Sequence, residues 1–386
     1  MHRNRFGLML LMLITTMISC IKPYDPEIRS NDERKLVVNG QVTDGDGFQK
    51  INITWSSPIE SPGYIPVLGC TVTIKDDKGH EFSLSEMGNG DYTTWIDPSL
   101  LGAGSKFMLE IFTPDGDKIV SDFDQISACP QVDSVYYEVQ QIEGSIPGKY
   151  TLGIQFFLDL AGTVTNSRNY RWEVFETWEY HADYPLEWYY DGTVHHVSPP
   201  DYSRMVCWRT LQIPNIFTLS TEKLVVNAYK RFPLHFVTNR TSRLMYGYSL
   251  LVAQYALSEE AYIYWDQLRI NGFEQGGLYE KQPLAIQGNL HNLTHPDKSV
   301  LGFFSASSVR TKRIFIQQVP GLPLDFFNGC SPAVMRKGLV EITPRDYPGY
   351  LMGDETGYRL VWLNEECVNC LSLGGINIKP DFWPND

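Results

Sequence analysis

Beyond its first twenty residues the chain has no apolar run long enough to cross a bilayer, which takes roughly 20 residues for a hydrocarbon core of about 30 Å. It has no internal repeat and no low-complexity tract. Basic residues are in the minority, 32 Lys and Arg against 45 Asp and Glu, for a net charge of −13. That balance disfavours nucleic acid, whose phosphates need a basic surface, and electrostatic docking on anionic lipid. The common catalytic signatures are missing. There is no G-x-S-x-G elbow, no phosphate-cradling P-loop and no dinucleotide fingerprint; His80-Glu81 lacks the second histidine of H-E-x-x-H. A glycosidase needs two carboxylates at set distances, and 45 acids neither reveal nor exclude such a pair. No catalytic residue, metal or cofactor is assigned.

What is present begins with the leader. In MHRNRFGLMLLMLITTMISC, Arg3 and Arg5 form a positive region, Phe6 to Ile18 an apolar one, and Ser19 precedes Cys20. This is the grammar of a secretory signal peptide with a bacterial lipoprotein ending. Residues 1–19 are expected to be removed and Cys20 to carry lipid, palmitate included, with two or three acyl chains holding the protein durably on a membrane. Met17 stands where the preferred lipobox has Leu. Residues 20–35 read as a polar, proline-bearing tether. Removing Arg3 and Arg5 with the leader takes the net charge from −13 to about −15.

Six further cysteines, Cys70, Cys129, Cys207, Cys330, Cys367 and Cys370, are an even number for an oxidising compartment and are candidates for disulfides. Six allow fifteen full pairings, and sequence does not choose among them. A zinc site built on Cys367-Val-Asn-Cys370 and Cys330 would need a fourth ligand. A redox C-x-x-C would need a strand-to-helix turn, whereas Leu-Gly-Gly follows here.

Residues 36–125 read as an all-β module. Short runs such as LVVNGQVT, KINITWS, CTVTIKD and KFMLEIFT are separated by Asp44-Gly45-Asp46-Gly47, Asp77-Lys78-Gly79 and Gly88-Asn89-Gly90-Asp91, which predicts an immunoglobulin-like or prealbumin-like sandwich. The Asp-Gly-Asp-Gly segment lacks the spaced ligands of a calcium loop and reads as a hairpin turn. Residues 126–386 read as a larger β-rich domain with one or two short helices. Ser258 is an N-cap there, and Ala261, Tyr264, Trp265 and Leu268 repeat at helical spacing, which predicts a helix near 258–270 and a Cys-containing C-terminal segment.

The segment from 178 to 208 is rich in flat aromatics. Trp178, Tyr180, Tyr184, Trp188, Tyr189, Tyr190 and Tyr202 suit a ligand or partner surface, or alternatively a core with an ordinary loop. His195 and His196 are adjacent, so in a strand they point to opposite faces and do not ligate one metal together.

The order LVVNGQVTD, YSLLVAQYALSEEAYIYWDQL, VLGFFSASSVRTKRIFI and CVNCLSLGGINIKPDFWP resembles a Bacteroidota lipoprotein family catalogued only as a domain of unknown function. Cys20 matches its lipidated cysteine, and Cys367 and Cys370 its terminal C-x-x-C. The resemblance implies an outer-membrane lipoprotein encoded beside a TonB-dependent receptor that carries a carboxypeptidase-regulatory-like extension. The expected role is ligand binding or accessory work for that receptor in nutrient uptake, on a periplasmic or cell-surface face left open. A structural, assembly or adhesin-like surface lipoprotein is the alternative, and a hydrolase with a site invisible to motifs the second. The resemblance supplies no catalytic residue.

Overall fold

The computed structural model describes residues 34–58, 61–144, 146, 148–273, 286–326, 330–334, 338–353 and 360–384. The leader, Cys20 and the tether up to residue 33 lie outside the described residues. The chain is mainly β, with one α-helix, Glu259–Phe273, among the described residues. No helix among them is long and apolar enough to cross a membrane.

The first sandwich forms where period-2 alternation is clearest. In Thr71–Asp76 the buried residues are Val72, Ile74 and Asp76, and in Lys106–Phe112 they are Phe107, Leu109 and Ile111. These strands pair antiparallel and face Leu36–Thr43 and Gln49–Trp55 across a core that includes Val38, Ile51, Ile53 and Tyr92. The hairpin between the latter two strands turns at 44–47, as its Gly and Asp residues predict.

This sandwich is not confined to residues 36–125. Leu36–Thr43 pairs in parallel with the first half of Leu301–Ile316, in register from Val37 with Leu301 to Thr43 with Ser307. Leu290–Asn292 adds a strand to the opposite sheet, and Leu290, Val300, Phe304 and Ala306 enter the core. The reason is chemical: Leu36–Thr43 has apolar residues to bury and an open edge to pair. The crossing is tight. Gly302 sits at φ +105°, and a Cβ there would stand 1.9 Å from the Val38 carbonyl oxygen, so only glycine fits.

The second half of Leu301–Ile316 pairs antiparallel with Gly247–Leu257, which pairs in turn with Asn169–His181. One 16-residue strand therefore carries a single ten-stranded sheet through both sandwiches. In the second sandwich that sheet packs on Ser134–Glu143, Tyr150–Ala161 and Ala228–Thr238. The helix starts as predicted, with Ser258 Oγ accepting from the Ala261 N–H at 3.2 Å, and ends three residues later than predicted. It buries Ala261 and Tyr264 against Leu257 and Phe303. Arg171 bolts the parts together: it bonds Gln41 of the first strand and Glu173 (3.1 and 2.9 Å), and lies 4.1 Å from the Trp265 ring centre on the helix.

Candidate functional site

Four of the six cysteines pair: one bond joins the C-terminal segment to the second sandwich and the other lies within the C-terminal segment. Cys207 on Val206–Gln212 bonds Cys370, and Cys330 bonds Cys367. The two cysteines of C-x-x-C thus go to different partners. Backbone contacts reinforce the seam: Trp208 and Ile376 exchange N–H···O bonds of 2.8 and 2.9 Å, and the Tyr180 hydroxyl donates to the Cys370 carbonyl at 2.8 Å. Cys70 and Cys129 correct the expectation of disulfides at those positions, because both are free thiols. Cys129 is buried, bonded by Gln254, and burial pushes its thiol up to about 11. Cys70 lies in the other sandwich, beside the Tyr92 hydroxyl.

The aromatic segment divides. Trp178, Tyr180 and Tyr190 are buried, and the first two belong to the core of the second sandwich. Asn169–His181 is a central strand, paired on both sides, so its inward aromatics fill the interior and present no surface. Tyr184 and Tyr189 are half-buried against a small core of Tyr350, Leu363 and Val368. Trp188 stacks on His196 at 3.9 Å and Tyr189 on His195 at 4.5 Å, on opposite faces of the Leu186–Tyr190 and Val194–Asp201 hairpin. The two adjacent histidines are thereby kept apart. Tyr202 alone of the seven is open, 63% exposed. Among the described residues no three His, Cys, Asp or Glu side chains come together as metal ligands.

The clearest exposed apolar surface lies elsewhere. Phe48, Met87 and Trp95 are 71%, 68% and 54% exposed around a shallow hollow of about 470 Å³. Thr93 and Ser85 line the same hollow, and Ser85–Gly88 is the outer strand of the ten-stranded sheet, with one unpaired edge. Each residue is a routine strand or turn position in the sequence. Only the fold places the three side by side.

A polar cleft of about 380 Å³ opens at the other end of the first sandwich. Its walls come from the first described residues, Arg34 and Lys35, from Trp55, from the Pro114-Asp115-Gly116 turn, and from Asp297 and Lys298. Asp117, also in the wall, is held by the His295 ring and by Lys298 at 3.6 Å. Partial burial works against its charge, but the hydrogen bonds from His295 and Asn292 outweigh that and hold its carboxyl below the usual range. Arg34, Asp115 and Asp297 make no ion pair among the described residues. Sequence reasoning had no signal for this cleft, since the parallel pairing of 36–43 with 301–307 is what brings residue 34 beside residue 298.

A family model described as a domain of unknown function (DUF4249) matches residues 21–313. The chain has no match among the curated proteins. Among solved structures it is similar to a trypsin-activated alpha-2-macroglobulin from Escherichia coli, at 8% identity and a TM-score of 0.19, over 59% of this chain and 15% of that one. It is also similar to a DUF4785 family protein from Legionella pneumophila, at 12% identity and a TM-score of 0.16, over 56% of this chain and 51% of that one. The chain therefore spans about a seventh and about a half of their lengths, and likenesses this slight carry no argument.

Proposed function

The chain belongs to the DUF4249 family, a domain of unknown function, and from that membership we propose an exported, lipid-anchored binding protein that serves as accessory partner to an outer-membrane receptor of the TonB-dependent type. It acts by presenting surface, not by catalysis. The observation that carries this reading is the cluster of Phe48, Met87 and Trp95 beside the open edge of Ser85–Gly88. Large side chains this exposed, gathered in one patch, mark a place where another protein sits. The two disulfides support the exported setting, because such bonds persist in oxidising compartments. The leader ending in Cys20 supports the anchor.

The test is capture from detergent-solubilised outer membrane with the full chain and with a Met87→Ala, Trp95→Ala double variant. The wild type should recover a receptor barrel, and the double variant should lose it at least tenfold while melting at the same temperature. Recovery of no barrel by the wild type ends the accessory reading. Alkynyl-palmitate labelling tests the anchor separately: the wild type should incorporate label and Cys20→Ser should not.

A further inference from the structure

The cleft at the foot of the first sandwich has a composition and a position that together point to a ligand. Arg34, Lys35 and Lys298 bring cations, the last of them 3.6 Å from the lining Asp117, while Asp115 and Asp297 bring further carboxylates and Trp55 supplies an apolar wall. A site of about 380 Å³ is of the size that holds a small molecule. Cations and carboxylates lining one cleft suit a ligand carrying both signs, and they penalise ligands carrying only one, since charges of the other sign remain beside them. Position narrows the class. Thirteen residues, 21 to 33, separate Cys20 from Arg34, a reach of at most about 50 Å. If acyl chains hold Cys20, the cleft stays within that distance of the membrane surface.

We propose that this cleft binds the zwitterionic headgroup of phosphatidylethanolamine, its phosphate toward Arg34, Lys35 and Lys298 and its ammonium toward Asp115 and Asp297. The proposal rests on the lipid-anchor reading for its choice of source. It also resolves a conflict in the charge balance. A body with net charge of about −15 once Arg3 and Arg5 leave with the leader is repelled by an anionic leaflet, whereas a zwitterionic headgroup carries no net charge, so the cleft can orient the body on its tether without that repulsion. The headgroup contact would fix which side of the first sandwich faces lipid and leave the Phe48, Met87 and Trp95 patch turned toward a partner.

Isothermal titration of the full chain, as isolated from cells, with glycerophosphoethanolamine tests this. Saturable binding is expected, weakened at least tenfold in Lys298→Gln and in Asp115→Asn, with glycerophosphoglycerol binding at least tenfold more weakly than glycerophosphoethanolamine. Both positions are exposed, so unchanged melting temperatures should accompany the loss. No saturation, equal binding by wild type and both variants, or a preference for the zwitterionic dipeptide glycylglycine would each overturn the assignment. The titration does not read acylation, so a failed titration sinks the headgroup site alone, whereas a failed palmitate label sinks the anchor and with it the membrane as the source of the headgroup.

Discussion

The two sandwiches share a sheet and are built on different chemistry. The first has a mostly aliphatic interior, Val38, Ile51, Ile53, Ile74, Leu109 and Ile111 among them, and no covalent tie. The second buries Glu176 and Gln254 beside Tyr248 and Trp172, and is tied to the C-terminal segment by Cys207–Cys370. Its polar groups answer one another. Tyr248 donates to Glu176 at 3.0 Å, Arg243 sits 3.3 Å from the same carboxylate, and Trp172 donates to Gln254, which donates to the Pro130 carbonyl. The first core depends on volume, the second also on a buried polar network around Glu176 and Gln254. Removing a methyl hurts the one, and removing a partner hurts the other.

The sharpest test of that contrast is Phe304→Ala. The side chain is fully buried in the first core, although it lies near residue 300. A loss of about 3–5 kcal/mol is expected, with hydrogen exchange rising along Leu36–Thr43. If protection is instead lost only from residue 126 onward, the shared-core description fails. Next is removal of Cys207–Cys370 by paired alanines, which closes a separation of 163 residues. About 2–5 kcal/mol should be lost, seen as earlier thermal unfolding of the second sandwich with exchange in the first unchanged. Gln254→Leu should cost about 1–3 kcal/mol by stranding the Trp172 N–H and the Pro130 carbonyl; urea unfolding at constant slope would measure it, and a neutral result would make the second core as forgiving as the first.

The smallest effect belongs to Asp76 at a turn of the first sandwich. Desolvation raises its pKa, but the His80 ring and the His80 and Lys78 amides donate to it and hold the carboxyl lower than usual overall. A lowered folded pKa gives stability that is present above the unfolded value, about 3.9, and lost as pH falls through the folded one. The urea midpoints of wild type and Asp76→Asn should therefore differ at pH 7 and converge below about pH 4. A gap that stays constant across that range would remove charge from the explanation.

The contrast also explains what was legible. Alternation in Thr71–Asp76 and the Gly-Asp turns carry local information, so the first sandwich's strands and hairpins could be read directly. The helix was legible for the same reason, since cap and spacing lie within one element. The parallel partner of Leu36–Thr43 was not, because nothing in an eight-residue apolar strand names a strand over 250 residues away. The aromatics of Asn169–His181 left core and surface both open because Trp and Tyr serve either; only pairing on both sides of the strand decides. Pairing of the cysteines was closed to sequence for the same topological reason, and so were the apolar patch and the cleft, whose members come from separate segments.

The strand Leu301–Ile316 sets a timetable for biogenesis. Synthesis delivers Leu36 long before Leu301, and at 5–20 residues per second that interval is roughly 15–50 s. Through it the nascent first module has a bare edge and an unsealed apolar interior, the state in which chains stick to one another. A nascent chain halted before residue 300 should be cut by protease throughout 36–125, and one halted after residue 320 should resist. On that topology the first module stays unsealed until the last quarter of the chain arrives.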